Sequence, residues 1–213
     1  MLTVWGRATS SNVQKVMWVI GELGLPYKRI DVGGAFGGLD TPEYRKLNPT
    51  SRIPTVEFGD GRVMWESSAI MRHLAMTDPE RRLWPAEGQP ALDADMLSEW
   101  SQIYSSSVIT QLFWAVVRTK PSERDPALIA RHSAALEPAL KLADAKLSEH
   151  PFLAGDRLTI ADISFGHTLY RYFTMETERP DVPHVAAYYE SLTARPAYAE
   201  HVMVDYSSLR VTD

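Results

Sequence analysis

The sequence changes its hydrophobic period part-way along, and that change limits the chain to a two-part architecture. Up to about Ala75, short strand-like and helix-like pieces alternate; after Pro90, long helical periodicity is broken only by Pro and Gly. Mixed short elements followed by a run of helices read as an α/β unit joined to an all-α unit. Leu2 to Trp5 has the pattern of a buried strand, and Val13, Val16, Met17, Ile20 and Leu23 then recur on one helix face. Gly24-Leu25-Pro26 stops that helix, and Ile30 and Val32 alternate as in a second strand parallel to the first, completing a right-handed βαβ unit. Glycines 33, 34, 37 and 38 mark a loop. Thr41-Pro42 pairs an N-cap with a Pro at the first helical position, opening a short helix that ends near Asn48-Pro49. Residues 55–58 and 62–65 around Gly59-Asp60-Gly61 predict an antiparallel hairpin, and Ile70, Met71 and Leu74 carry a further helix. The order predicts a mixed four-stranded sheet with helices over residues 1–78.

Residues 79–89, with Pro79, Pro85 and Gly88, read as a linker to an all-helical unit over 90–213. Met96, Trp100, Ile103, Ile109, Leu112, Phe113, Val116 and Val117 predict one long helix or a kinked pair from Leu92 to Val117. Asp125-Pro126 caps the next helix, with Pro138 inside it to bend it. Thr159-Ile160-Ala161-Asp162 begins another, and Val185 to Thr193 gives one more before Arg195-Pro196.

Composition removes several function classes. No apolar run approaches the roughly 18 residues needed to cross a bilayer, and the N-terminal stretch lacks the pattern of a secretory signal, so a cytoplasmic protein without a membrane partner is expected. A net charge of −5 argues against nucleic acid as a partner, while a small anionic ligand stays open through a few local donors. There is no cysteine, which excludes disulfides, thiolate–metal sites and a cysteine nucleophile. The six His are scattered singly, and no metal site is expected.

Three segments could hold a ligand. Thr9-Ser10-Ser11-Asn12 lies where the first strand meets the first helix, and a hydroxyl at a helix N-terminus can cap the helix or donate to an anion. In Ser51-Arg52-Ile53-Pro54-Thr55 a Pro opens a strand; a cis peptide there would expose the main-chain N–H and C=O of the residue before it. Glu66-Ser67-Ser68 places a carboxylate and hydroxyls at a helix start, where an α-amino group and a carboxylate could both be met.

Taken together, these segments resemble the glutathione transferase family over essentially the whole chain. Asn48-Pro49-Thr50-Ser51-Arg52-Ile53-Pro54-Thr55-Val56 is similar to the family's segment around its cis proline. Glu66-Ser67-x-Ala69-Ile70 is similar to its Glu/Gln-Ser-x-Ala-Ile segment, and Ala154-Gly155-Asp156-x-Leu158-Thr159-Ile160-Ala161-Asp162 resembles its capping-box signature. The resemblance implies a thioredoxin-like N-terminal domain and an all-helical C-terminal domain. It implies that the backbone of Ile53, before Pro54, binds the cysteinyl part of glutathione, that Glu66 and Ser67 meet the γ-glutamyl part, and that Arg52 meets the glycyl carboxylate. Thr159 and Asp162 would be structural.

For activation of the thiol, Ser11 matches the serine of theta-like members, whereas Ser10 with Asn12 resembles the arrangement of a nu-like group. The implied reaction needs no cofactor: glutathione, as co-substrate, is held as a thiolate that attacks a small hydrophobic electrophile. Tyr104, Phe113, Trp114 and Tyr170 are candidates to line the electrophile pocket. The resemblance also implies a homodimer with its interface on the helix from Leu92 to Val117. Two alternatives stay open at this point: a glutathione-dependent disulfide or peroxide reductase using the same site, and a non-catalytic protein-interaction module of the same fold.

Overall fold

The computed structural model describes residues 1–213. Its first part holds a four-stranded sheet in the order β2-β1-β3-β4, made of β1 (Leu2–Trp5), β2 (Tyr27–Ile30), β3 (Thr55–Glu57) and β4 (Val63–Trp65). β1 runs parallel to β2 and antiparallel to β3, and β3 and β4 form the expected hairpin, so the sheet is mixed. Helices α1 (Ser11–Glu22), α2 (Pro42–Leu47) and α3 (Ser67–Thr77) complete this thioredoxin-like unit. Thr41 caps α2 by accepting a bond from the N–H of Tyr44 at 3.2 Å.

The second strand is shorter than its alternation predicts. It ends at Ile30, and Val32, though buried, lies beyond it. Gly33 and Gly34 follow at φ +81° and +61°, a left-handed conformation in which a glycine carries no steric penalty, and they turn the chain out of the sheet.

The rest is helical: α4 (Gln89–Ser101), α5 (Ser107–Val117), α6 (Pro126–Glu149), α7 (Ile160–Gly166), α8 (Leu169–Thr174), α9 (Pro183–Thr193) and α10 (Pro196–His201). A π-helical segment, Gln102–Ser106, joins α4 to α5 with helical backbone angles on both sides, so the predicted long helix forms with an irregular middle. The sequence there is rich in hydroxyls. Ser105 donates to the carbonyl of Ser101 at 2.9 Å and Thr110 to that of Ser106 at 2.7 Å, competing with the backbone ladder for its acceptors. Pro138 lies inside α6 without ending it. The helix opened by Thr159 stops at Gly166, where α7 comes so close to Trp18 and Leu192 that an added Cβ would lie 2.7 Å from Leu192 Cδ1.

One continuous apolar core runs from Leu2 in the sheet to Tyr206 near the C-terminus. α1 joins the two parts, packing on α3 within the first and on α7 and α10 of the second, and α3 also packs on α7. Every residue from Val13 to Ile20 is therefore buried, including the polar Gln14 and Lys15. No helix is long and apolar enough to cross a membrane.

Candidate active site

Two cavities meet the segment that joins β1 to α1. Asn12 lines the smaller, Arg7, Ala8 and Thr9 line the larger, and Ser10 and Ser11 lie between them along the chain. The smaller cavity, of about 70 Å³, is bounded by Asn12, Asn48, Thr50, Arg52, Ile53, Pro54, Glu66 and Ser67. Its floor is the loop before β3. The Asn48 carboxamide is buried and uses both ends: its N–H₂ donates to the Arg52 carbonyl and to Thr55 Oγ1, each at 3.0 Å, while its oxygen accepts from the N–H and the hydroxyl of Thr50. The Tyr44 hydroxyl donates to the same Arg52 carbonyl at 2.6 Å. These bonds hold the loop in one shape, and the Ile53–Pro54 peptide at its end is cis.

The other wall is made by two helix starts. Ser67, the first residue of α3, donates through its hydroxyl to Asn12 Oδ1 at 3.3 Å, tying the start of α3 to the start of α1. Glu66 sits before α3 at φ +71°, a conformation that costs a non-glycine residue about 1–3 kcal/mol, and its carboxylate makes no capping bond. Ser10, the N-cap of α1, makes none either. Neither first turn holds an acidic residue, and no side chain caps the N–H groups of either helix start.

Behind this wall Lys15 is fully buried. Its ammonium donates to Ser68 Oγ at 3.0 Å and to Gln102 Oε1 at 2.6 Å, bridging α1, α3 and the π-helical segment. Burial pulls its pKa down to about 7, against a smaller opposing pull from Glu99 and Glu66.

The larger cavity, of about 560 Å³, is closed by parts of the chain far apart in sequence: Arg7 to Thr9, the turn Gly34–Phe36 after β2, Arg118 at the end of α5, and residues 208–211. The tail reaches α5 through a bond from the N–H of Val211 to the carbonyl of Val117 at 3.1 Å. Arg171, from α8, lies buried with its guanidinium 4.6 Å from the Phe113 ring centre and donates to the Thr9 carbonyl at 2.7 Å.

Residues 9–77 match the family model "Glutathione S-transferase, N-terminal domain" and residues 106–196 match "Glutathione S-transferase, C-terminal domain". The curated glutathione S-transferase GstB of Escherichia coli K12 is 31% identical over 208 residues, 97% of this chain and all of that protein. The chain belongs to the glutathione S-transferase family. A theta class glutathione S-transferase from Xanthomonas axonopodis pv. citri, solved with glutathione bound, is 43% identical at a TM-score of 0.90, covering 96% of this transferase and 98% of that chain. The glutathione transferase URE2P6 from Phanerochaete chrysosporium, solved with oxidized glutathione, is 26% identical at a TM-score of 0.82, covering 93% of each chain. The protein is thus an enzyme of this family, with its thioredoxin-like and helical parts.

Of the residues singled out from the sequence, the transferase brings Asn12, Arg52, Ile53, Pro54, Glu66 and Ser67 to the smaller cavity; Ser10 and Ser11, which precede Asn12 in the chain, line neither cavity. The four aromatic candidates lie elsewhere, and none lines the larger cavity. Phe113 is fully buried under Arg171. Tyr170 is half-buried against Tyr206, with ring centres 6.0 Å apart. Tyr104 is exposed on the π-helical segment, and Trp114, also exposed, lines a separate cavity with Thr110 and His132. Aromatic residues at helical spacing serve packing first, which is what Phe113 does here. Asn48 and Thr50 were visible in the sequence only as the end of a helix and part of a motif. Arg7, Arg118 and Arg210 carried no signal, because their proximity depends on the fold.

Proposed function

We propose that this transferase binds glutathione across the smaller cavity and holds its sulfur at the start of α1 as a thiolate, for attack on a small electrophile in the larger cavity. The observation that carries the reading is that Ser10 and Ser11, on a helix start with an uncommitted N-cap hydroxyl, connect along the chain the residues that line the two cavities. The smaller cavity suits the γ-glutamyl head: the α-amino group pairs with Glu66, and the carboxylate meets Ser67 and the first turn of α3. The Ile53 backbone meets the cysteinyl part, and Arg52, exposed and in no ion pair, meets the glycyl carboxylate. In this reading residues 1–78 supply the glutathione contacts, 79–89 link, and 90–213 complete the second-substrate pocket, whose apolar wall is Phe36, Leu209 and Val211.

A free thiol with a pKa of about 8.5 is only about 3% thiolate at pH 7, and lowering it by ~2 units takes roughly 2.7 kcal/mol of preferential stabilisation. One charge-assisted hydrogen bond of about 1.5–3 kcal/mol and a helix start of about 0.3–1 kcal/mol supply it. Ser10 is the first choice of donor, since its side chain does not cap α1; Ser11 and Asn12 are the alternatives. The test follows thiolate absorbance against pH for glutathione bound to the wild type and to Ser10→Ala, Ser11→Ala and Asn12→Ala. A bound pKa well below 8.5 that rises by one to two units in one variant identifies the donor. A wild-type pKa left at the free value refutes activation at this site.

A second reading, reduction of a disulfide or peroxide by two glutathiones, draws support from Asn12 in the cavity wall and from the oxidized glutathione seen in URE2P6. Oxidized glutathione released on turnover with a disulfide substrate would establish it. We further propose a cytoplasmic homodimer. Leu92, Met96 and Ile103 form an exposed apolar stripe along α4 and the π-helical segment, which a second copy would cover.

A further inference from the structure

We infer that the second substrate of this transferase carries an anionic group, best a carboxylate, held in the larger cavity by Arg7, Arg118 and Arg210. The inference rests on the reading above that the electrophile occupies this cavity. Four arginines line it, against one carboxylate. That carboxylate, Asp31, is already paired with Arg29, whose guanidinium also donates to the Gly6 carbonyl at 3.0 Å. Arg7, Arg118 and Arg210 take part in no ion pair, and their guanidinium groups donate no hydrogen bond within the protein. The nearby tail acids are committed elsewhere, Asp205 to Ser207 and Asp213 to Ser122.

A further unpaired cation lies close by. Arg171 is buried, has no carboxylate partner, and leaves its Nε without any hydrogen bond. Arg7 and Arg118 both push its pKa down, adding to the larger effect of burial, and Arg118 does the same to Arg7. The cluster is therefore self-repelling in a chain whose acidic residues outnumber its basic ones by 27 to 22. An anion entering from solution supplies the missing counter-charge.

Arg7 also lies beside the glycine turn that follows β2. It lies over the Gly33-Gly34 turn so closely that a Cβ at Gly34 would come within 3.2 Å of its Nε. A Cβ at Gly33 would stand 3.5 Å from Arg7 Nη1 and 3.3 Å from Ile53 Cδ1, so this guanidinium is a near neighbour of the residue that opens the smaller cavity. An anion held here lies next to the bound thiol, and Phe36 and Leu209 provide a wall for its apolar body.

The test compares 4-chloro-3-nitrobenzoate with 4-chloro-3-nitrobenzamide, a pair of similar shape that differs in charge. In both, the thiolate sulfur bonds to the ring carbon bearing chlorine and chloride leaves with the C–Cl electron pair; the thiol proton has already passed to solvent. Each kcat/KM is divided by the rate constant of the uncatalysed reaction with glutathione, which removes the difference in intrinsic reactivity. The corrected ratio of benzoate to benzamide should exceed one in the wild type. It should fall about tenfold in Arg118→Gln and in Arg210→Gln, both exposed positions, and recover in part in Arg118→Lys. A ratio unmoved by both Gln substitutions overturns the inference. If neither compound is conjugated, the conjugation reading fails while the anion site is still decided, by calorimetric titration of the two compounds into glutathione-saturated protein. Tighter binding of the benzoate, lost in Arg118→Gln, sustains the site; equal binding overturns it.

Discussion

Replacing Lys15 with Met should change how stability depends on pH, by an amount that follows from its burial. The ammonium has no exposed surface and no carboxylate in contact; Glu99, the larger of the two acidic influences on it, is bonded by Arg72. Its pKa of about 7 in the folded protein compares with about 10.4 in an unfolded chain. Below pH 7 the group is charged in both states, and the full penalty of burying the charge is present. Between pH 7 and about 10.4 the unfolded chain holds a proton that the folded one has released, so the wild type gains stability as pH rises, at about 1.4 kcal/mol per unit. From pH 7, where half of the folded molecules still hold the proton, to pH 9 the gain amounts to about 2 kcal/mol, which Lys15→Met lacks. His167, also buried, has its pKa pushed well below the ordinary value by burial and by Lys15, so it is neutral across this window and adds no slope. Losing the bonds to Ser68 and Gln102 adds an offset to the variant that does not vary with pH. Urea unfolding of both proteins at equal concentration at pH 6, 7, 8 and 9 measures the difference. With a urea dependence of about 1–3 kcal/mol per molar, the gap between midpoints should change by about 1–2 M between pH 7 and 9. A gap that stays constant would show that Lys15 keeps its proton to pH 9, and the argument from burial would fall.

Two further outcomes are expected. Asp162 accepts from the N–H groups of Leu153 and Thr159 and from the Tyr188 hydroxyl at 2.8–3.0 Å, all buried, so Asp162→Ala should cost about 3 kcal/mol or more by chemical denaturation, and Asp162→Asn, which keeps one acceptor, markedly less. Ile103→Glu places a charge in the exposed apolar stripe and should convert the proposed dimer to a monomer by sedimentation velocity; a dimer that persists would put the interface on another face.

What the sequence made legible were features in which one short stretch carries its own physical reason. Thr41 caps α2, and Thr159 with Asp162 forms a reciprocal capping box, because hydroxyl and carboxylate side chains find free N–H groups within three residues of themselves. The smaller cavity was nearly as legible, since its residues fall in three compact segments: two helix starts and the loop between the end of α2 and the start of β3. The larger cavity was not. It draws on residues 7–9, 29–36, 118 and 208–211, and an arginine has no periodicity by which its partners can be found. Phe113, a pocket candidate by resemblance, has the helical spacing of a core residue, and it bears on the site only through Arg171, which rests on its ring and bonds the Thr9 carbonyl. Net charge concealed the rest. A total of −5 averages over the whole surface, whereas a substrate meets the few groups around one cavity, and there the fold places unpaired guanidinium groups whose only local carboxylate is already taken by Arg29. A local excess of one sign that the chain's own opposite charges do not neutralise implies the charge of the ligand more directly than composition can.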